Sequence, residues 1–162
     1  MTDPRSGAGA DDVPALDADQ LDAYFALMEA VSLLQHQVEQ QLRAEGGISY
    51  VQFQLLARLN ARGQLTMTEL ADGVVYSRSG LTYQISQLEK DGLVRREKCP
   101  SDERGILAIL TGAGRAALAR AAPGHLRVVR ENLIDALTPA QRETLTEGLA
   151  AARDRLRPGA DQ

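Results

Sequence analysis

A mainly α-helical domain with one small β-hairpin is the fold class this sequence predicts, and three observations predict it. Alanine and leucine are abundant while the 162 residues contain only six aromatic side chains and no Trp. The spacing of a helix-opening capping box, Ser/Thr-x-x-Glu/Gln, occurs at Ser49, Thr66 and Thr138. Two apolar-rich segments, "LVRREKC" and "GILAILT", flank a proline-containing turn and read as paired strands.

From Asp17 to Glu45 the apolar residues Leu21, Tyr24, Met28, Val31, Val38 and Leu42 recur at helical spacings, with Phe25, Leu27, Leu33 and Leu34 widening the stripe. Gly46-Gly47 suits a helix stop. Such a wide face on a helix of about 28 residues predicts packing against a second chain. Ser49 opens a short helix through Phe53, Leu55, Leu56 and Leu59 that ends near Gly63, and Thr66 opens a very short one through Leu70 and Ala71. A third helix is expected from about Ser77 to Asp91-Gly92. The strands follow, joined by a turn at Pro100–Arg104. The next helix starts after Thr111 and is expected to bend or break at Pro123-Gly124, resuming through Leu126, Val129, Leu133 and Leu137. The last starts at Thr138-Pro139 and reaches about Leu156.

This order, three short helices and a hairpin between long helices, is that of a winged helix-turn-helix flanked by N- and C-terminal dimerisation helices. The expected boundaries are a disordered leader at 1–16, one domain at 17–157, and a disordered tail at 158–162. Within the domain, 17–45 and 112–157 would dimerise and 49–111 would form the winged helix-turn-helix.

The net charge of −4 argues against a nucleic-acid partner until it is mapped. Residues 1–48 carry −7 and the remainder +3, so the acidity belongs to the leader and first helix. No apolar run approaches the roughly 20 residues that span a membrane. The N-terminus lacks a signal-peptide apolar core and there is one cysteine, so a cytoplasmic location is expected.

The segment "SRSGLTYQISQLEKD" carries the functional pattern. At about 100° per residue, Leu81, Ile85 and Leu88 share a narrow face, and Ser79, Thr82, Tyr83, Ser86 and Lys90 lie opposite. That face offers hydrogen-bonding groups and no acid, which suits base edges in a major groove. Thr82, Tyr83 and Ser86 are the candidates for bases. Ser77, Arg78 and Ser79, in the first turn, are the candidates for the phosphate backbone. An ordinary amphipathic helix with a wet polar side has the same pattern.

"LTMTELADGVVYSRSGLTYQISQLEKDGLVRR", followed by "DERGILAILTGAGR", resembles the winged-helix core of the MarR family of dimeric bacterial transcription regulators. The resemblance covers about residues 20–156, and "APGHLRVVRENLIDALTPAQ" is similar to a branch of that family common in actinobacteria. It implies double-stranded DNA as a partner, a homodimer, and a small phenolic or anionic effector between the dimer platform and the winged domain. Tyr24, His36, Tyr50 and Phe53 are candidates to line that site; each also suits core packing. Arg104 matches the wing arginine that enters the minor groove, and Asp102 the acid that holds it. A solvated charged turn is the bland alternative. The chain departs from many relatives in having Tyr83 and Gln87 where arginine is frequent, and Val75 where glycine is frequent.

Cys99 reads as a structural or incidental thiol, and His36 and His125 as polar helix residues rather than metal ligands. No catalytic triad, phosphate-binding loop, metal-ligand set or cofactor motif is present, so no enzymatic role is expected. The sequence thus predicts a DNA-binding repressor that reads an inverted-repeat operator as a homodimer and is released by a small effector. The alternative is a dimeric winged-helix interaction module without specific DNA binding.

Overall fold

The computed structural model describes residues 14–73, 78–100 and 102–157, with side chains throughout except at 72, 73, 78 and 102–104. Its elements are α1 (Ala18–Gly46), α2 (Tyr50–Arg62), β1 (Gln64–Thr66), α3 (Met67–Gly73), α4 (Arg78–Lys90), β2 (Val94–Cys99), β3 (Asp102–Leu110), α5 (Gly112–Val129), a π-turn (Arg130–Ile134) and α6 (Pro139–Leu156). The chain divides into two compact units at Leu33/Leu34, inside α1.

In the first unit the described part of α1 is open to solvent along its apolar stripe, with Tyr24, Phe25 and Met28 all exposed. Asp17 opens the helix: its carboxylate accepts the Gln20 backbone N–H at 2.9 Å, and the Gln20 side chain accepts the Asp17 N–H at 3.1 Å.

The second unit holds the core. Leu42, Leu55, Leu56, Leu59, Leu70, Ile85 and Leu88 are fully buried and bring α1, α2, α3 and α4 onto one centre. Three of the helices start where the preceding hydroxyl says they should. Ser49 and Thr138 form complete capping boxes with Gln52 and Gln141, and Thr66 and Glu69 cap α3 reciprocally. Gly63 and Gly92 have φ of 81° and 72°, a region that favours glycine, and each ends a helix.

The sheet differs from the expected hairpin. It has three antiparallel strands in the order β1-β3-β2, because Gln64–Thr66 pairs with β3 in the register Thr66↔Leu107. Three residues are too few to show alternation, and Thr66 also serves as the α3 cap, which hides the strand in the sequence. Strand β3 begins at Asp102, inside the stretch expected to be turn. Lys98 pairs with Ile106 but Cys99 with Asp102, so Glu103, Arg104 and Gly105 have no β2 partner and bulge from the ladder.

The expected break at Pro123-Gly124 is not there. Helix α5 runs unbroken from Gly112 to Val129 with Pro123 inside it. Pro123 and Ala119, whose carbonyl loses its donor, are both solvent-exposed, so water can replace the lost bond. A Cβ at Gly124 would meet only the flexible ends of the Gln41 and Glu45 side chains of α1, which can give way. The irregularity falls later, where Asp135 N–H donates to Arg130 O at 2.9 Å across a π-turn. Arg142 then covers the loose carbonyls of Ile134 and Leu137 at 3.0 and 2.6 Å.

Gly114 marks the tightest approach of α5 to the sheet. An added Cβ would overlap the Leu93 carbonyl and lie 2.6 Å from Leu110 Cδ1. Gly114→Ala should therefore destabilise the fold by about 1–3 kcal/mol, despite alanine's better helix propensity. Urea unfolding of the two proteins measures this, and a variant as stable as the parent would show that α5 can slide.

Candidate nucleic-acid interface

Helix α4 is set by its apolar stripe. Leu81, Ile85 and Leu88 are at most 2% exposed, which fixes the helix's rotation. Ser79, Thr82, Tyr83 and Lys90 are consequently turned outward, Tyr83 being 62% exposed, and Ser86 is half-buried. The structure thus brings five of the sequence-nominated residues onto one outward side. Arg78 is the first residue of α4, and Ser77 lies outside the described residues. Asp102 and Arg104 belong to β3 at the bulged end of the wing, with side chains outside the described set. Cys99 is half-buried beside that bulge.

Behind this surface α4 is tied to the sheet. Glu89 accepts the Arg96 backbone N–H at 3.0 Å and the Arg96 guanidinium at 2.8 and 2.6 Å. The Arg96 guanidinium beside Glu89 foremost, with its backbone N–H, holds the carboxyl below the usual carboxylate range. Glu69 is likewise held low, first by the Thr66 backbone N–H and then by its hydroxyl.

Of the four residues nominated for an effector, Tyr24 belongs to the first unit and His36, Tyr50 and Phe53 to the second. Tyr24 is exposed on the first unit, edge-on to Phe25 at 5.2 Å. His36 is exposed and pairs with Gln40 at 3.0 Å. Tyr50 and Phe53 do meet, through a residue not nominated with them: the His125 ring lies 4.6 Å from Phe53 and 6.4 Å from Tyr50. Nothing in the local sequence around His125 signals this, because the contact joins α2 to α5, two segments far apart in the chain. Its Nδ1 is buried with no hydrogen-bond partner, and burial pushes its pKa below the ordinary histidine value.

Among the described residues no cluster of His, Cys, Asp or Glu is placed to hold a metal ion, and no helix is long and apolar enough to cross a membrane. The MarR family model matches residues 48–106, from just before α2 into β3. The regulator Sco3205 of Streptomyces coelicolor, a MarR family protein solved in complex with DNA, is 40% identical to this chain with a TM-score of 0.88. The match covers 92% of this chain and 94% of that one. The chain belongs to the MarR family of transcriptional regulators. Among curated relatives, the repressor YetL of Bacillus subtilis is 31% identical, with 74% of each chain covered. The regulator YkoM of the same organism is 30% identical over 62% of this chain, and the match spans 65% of YkoM's own length.

His125 gives this MarR-family protein a pH dependence whose sign is fixed. A histidine with a depressed folded pKa is protonated more readily in the unfolded chain. Stability is therefore full above the unfolded value of about 6.5 and falls as the pH drops from there toward the folded pKa. His125→Phe, which keeps a ring against Phe53, should reduce the difference in melting temperature between about pH 7.5 and pH 5.5. An unchanged difference would place the acid sensitivity elsewhere.

Proposed function

We propose that the protein is a homodimeric repressor in the cytoplasm, without enzymatic activity, that binds an inverted-repeat operator in double-stranded DNA and is released by a small phenolic or anionic effector. The observation that carries it is the orientation of α4: three buried leucine and isoleucine side chains turn an acid-free polar face to solvent. Thr82, Tyr83 and Ser86 read base edges in the major groove, while Ser77, Arg78, Ser79 and Lys90 engage the backbone. Arg104 enters the adjacent minor groove, where the narrow channel concentrates negative potential, and Asp102 restrains it. Support comes from the DNA complex of Sco3205 and from the repressor name of YetL.

Residues 17–157 act as one functional domain, with 49–111 reading DNA and the flanking helices pairing two chains. Tyr24, Phe25 and Met28 on α1, and Leu145, Leu149 and Leu156 on α6, are exposed apolar side chains that a second copy would cover. The effector site is assigned to Tyr50 and Phe53 with His125, within the second unit.

Light scattering at micromolar concentration should give twice the chain mass, since two recognition helices one turn of DNA apart are needed to read a palindrome. A monomer under those conditions would overturn the operator assignment as well. On a selected operator, Tyr83→Ala should change the preferred base variants at a cost of roughly 1–3 kcal/mol for the best site. Equal weakening on all sequences would mean that α4 does not read bases and would favour an interaction module that holds DNA only nonspecifically. Arg104→Ala should leave melting unchanged and weaken binding most at low salt, with Arg104→Lys rescuing only in part. Binding equal to the parent would make the wing a solvated turn.

A further inference from the structure

Helix α4 and strand β2 are connected twice. The chain joins them through Asp91-Gly92-Leu93, and Leu93 N–H returns to Leu88 O at 2.9 Å. Side chains join them again through Glu89 and Arg96. One Glu89 oxygen takes the Arg96 backbone N–H at 3.0 Å, while the other takes two guanidinium nitrogens at 2.8 and 2.6 Å. Exposed ion pairs usually contribute little, because two long side chains must be ordered to form them. This one is only about one-third exposed, 34% at Arg96 and 35% at Glu89, and it grips the strand's backbone as well as its side chain.

We propose that Glu89 is a positioning residue for DNA recognition, clamping β2 to the end of α4 and so fixing the angle between the recognition helix and the wing. This rests on the DNA-reading function proposed above. From Glu89 back to Tyr83 is about 9 Å along the helix axis, and from Arg96 out to Cys99 is about 10 Å along the strand. The clamp therefore sits near the vertex of two arms of similar length. A major groove and its neighbouring minor groove have a fixed spacing, so both arms dock together only when that angle is right. Neither Glu89 nor Arg96 has to touch DNA for this.

Charge and position predict opposite signs, which makes the clamp testable. Removing Glu89 deletes a negative charge beside a polyanion and releases the positive charge of Arg96. On electrostatics alone, Glu89→Ala and Glu89→Gln should both bind more tightly than the parent, and about equally. Clamping predicts instead that Glu89→Ala binds its selected operator about three- to tenfold more weakly, the scale of one lost ordinary hydrogen bond. Glu89→Gln should fall between, since glutamine still offers an acceptor to the Arg96 N–H.

The experiment is a titration of full-length dimer against one operator at fixed salt, with thermal melting recorded for every variant. Arg104→Ala should cost less on the Glu89→Ala background than on the parent, because a wing already out of position has less to lose. Should Glu89→Ala melt far below the parent, the exchange Glu89→Arg with Arg96→Glu decides. Binding restored in part by the exchange, which rebuilds the ion pair but not the acceptor for the residue-96 N–H, and in neither single variant, supports the clamp, whereas an exchange no better than the single variants overturns it. Glu89→Ala binding as tightly as the parent or more so overturns it while leaving the DNA-reading function intact. A parent protein that selects no DNA removes that function first.

Discussion

Burial of Leu81, Ile85 and Leu88 is the constraint from which the presented surface follows. These three side chains occupy a narrow stripe of α4, and all three are sealed within the core that α2, α3 and the sheet share. An α-helix held along one narrow stripe has no rotational freedom left, since a turn of one residue would expose a leucine and bury a serine or threonine. The polar side is thus placed by the apolar side. Ser79, Thr82, Tyr83 and Lys90 need no contacts of their own to face outward.

Holding the wing at a fixed angle to that helix is a separate problem, and Thr111 contributes to its solution. Its N–H donates to Leu93 O at 3.1 Å, and its hydroxyl lies 2.7 Å from Gly92 O and 3.0 Å from Leu93 O. The same hydroxyl accepts the Gly114 N–H at 3.0 Å, which caps α5. One side chain thereby joins the turn after α4, the end of β3 and the start of α5. Gly114 is forced by the same junction, because α5 begins so close to Leu93 that no Cβ fits. The segment Leu110–Arg115, which in sequence looks like a strand end and a helix start, is a structural knot.

Local chemistry was legible in the sequence and long-range contact was not. Ser49, Thr66 and Thr138 cap helices because a hydroxyl and a glutamate or glutamine three residues on satisfy each other's neighbours, whatever the rest of the fold does. The stripe of α4 was legible for the same reason, periodicity being a property of one segment. Strand β1 was hidden because its pairing partners, Leu107 to Ile109, lie far along the chain. Pro123 misled because its effect on a helix depends on whether Ala119 faces water, which only the packed structure decides. His125 was invisible as a partner of Tyr50 and Phe53, since helix α5 had to cross α2 before those rings could meet. The wing's bulge is an intermediate case: the strands were readable, but the mismatch at Lys98/Cys99 is a fact of register.

The charge pattern bears on which of these features matters most for a regulator. The basic residues of helix α4 are confined to its ends at Arg78 and Lys90, with uncharged Tyr83 and Gln87 between them. On the proposed function, counterion release by such a helix is small and its nonspecific grip on DNA correspondingly weak. On the proposed function, affinity must then come from short-range contacts that tolerate little misalignment: hydroxyl and amide hydrogen bonds, and a tyrosine against a base edge. Long charged side chains adapt to a shifted groove, whereas serine and threonine do not. A recognition helix of this composition therefore gains more than a basic one would from a rigid joint to its wing. The doubled connection at Glu89–Arg96 and the knot at Thr111 stand where that rigidity is needed.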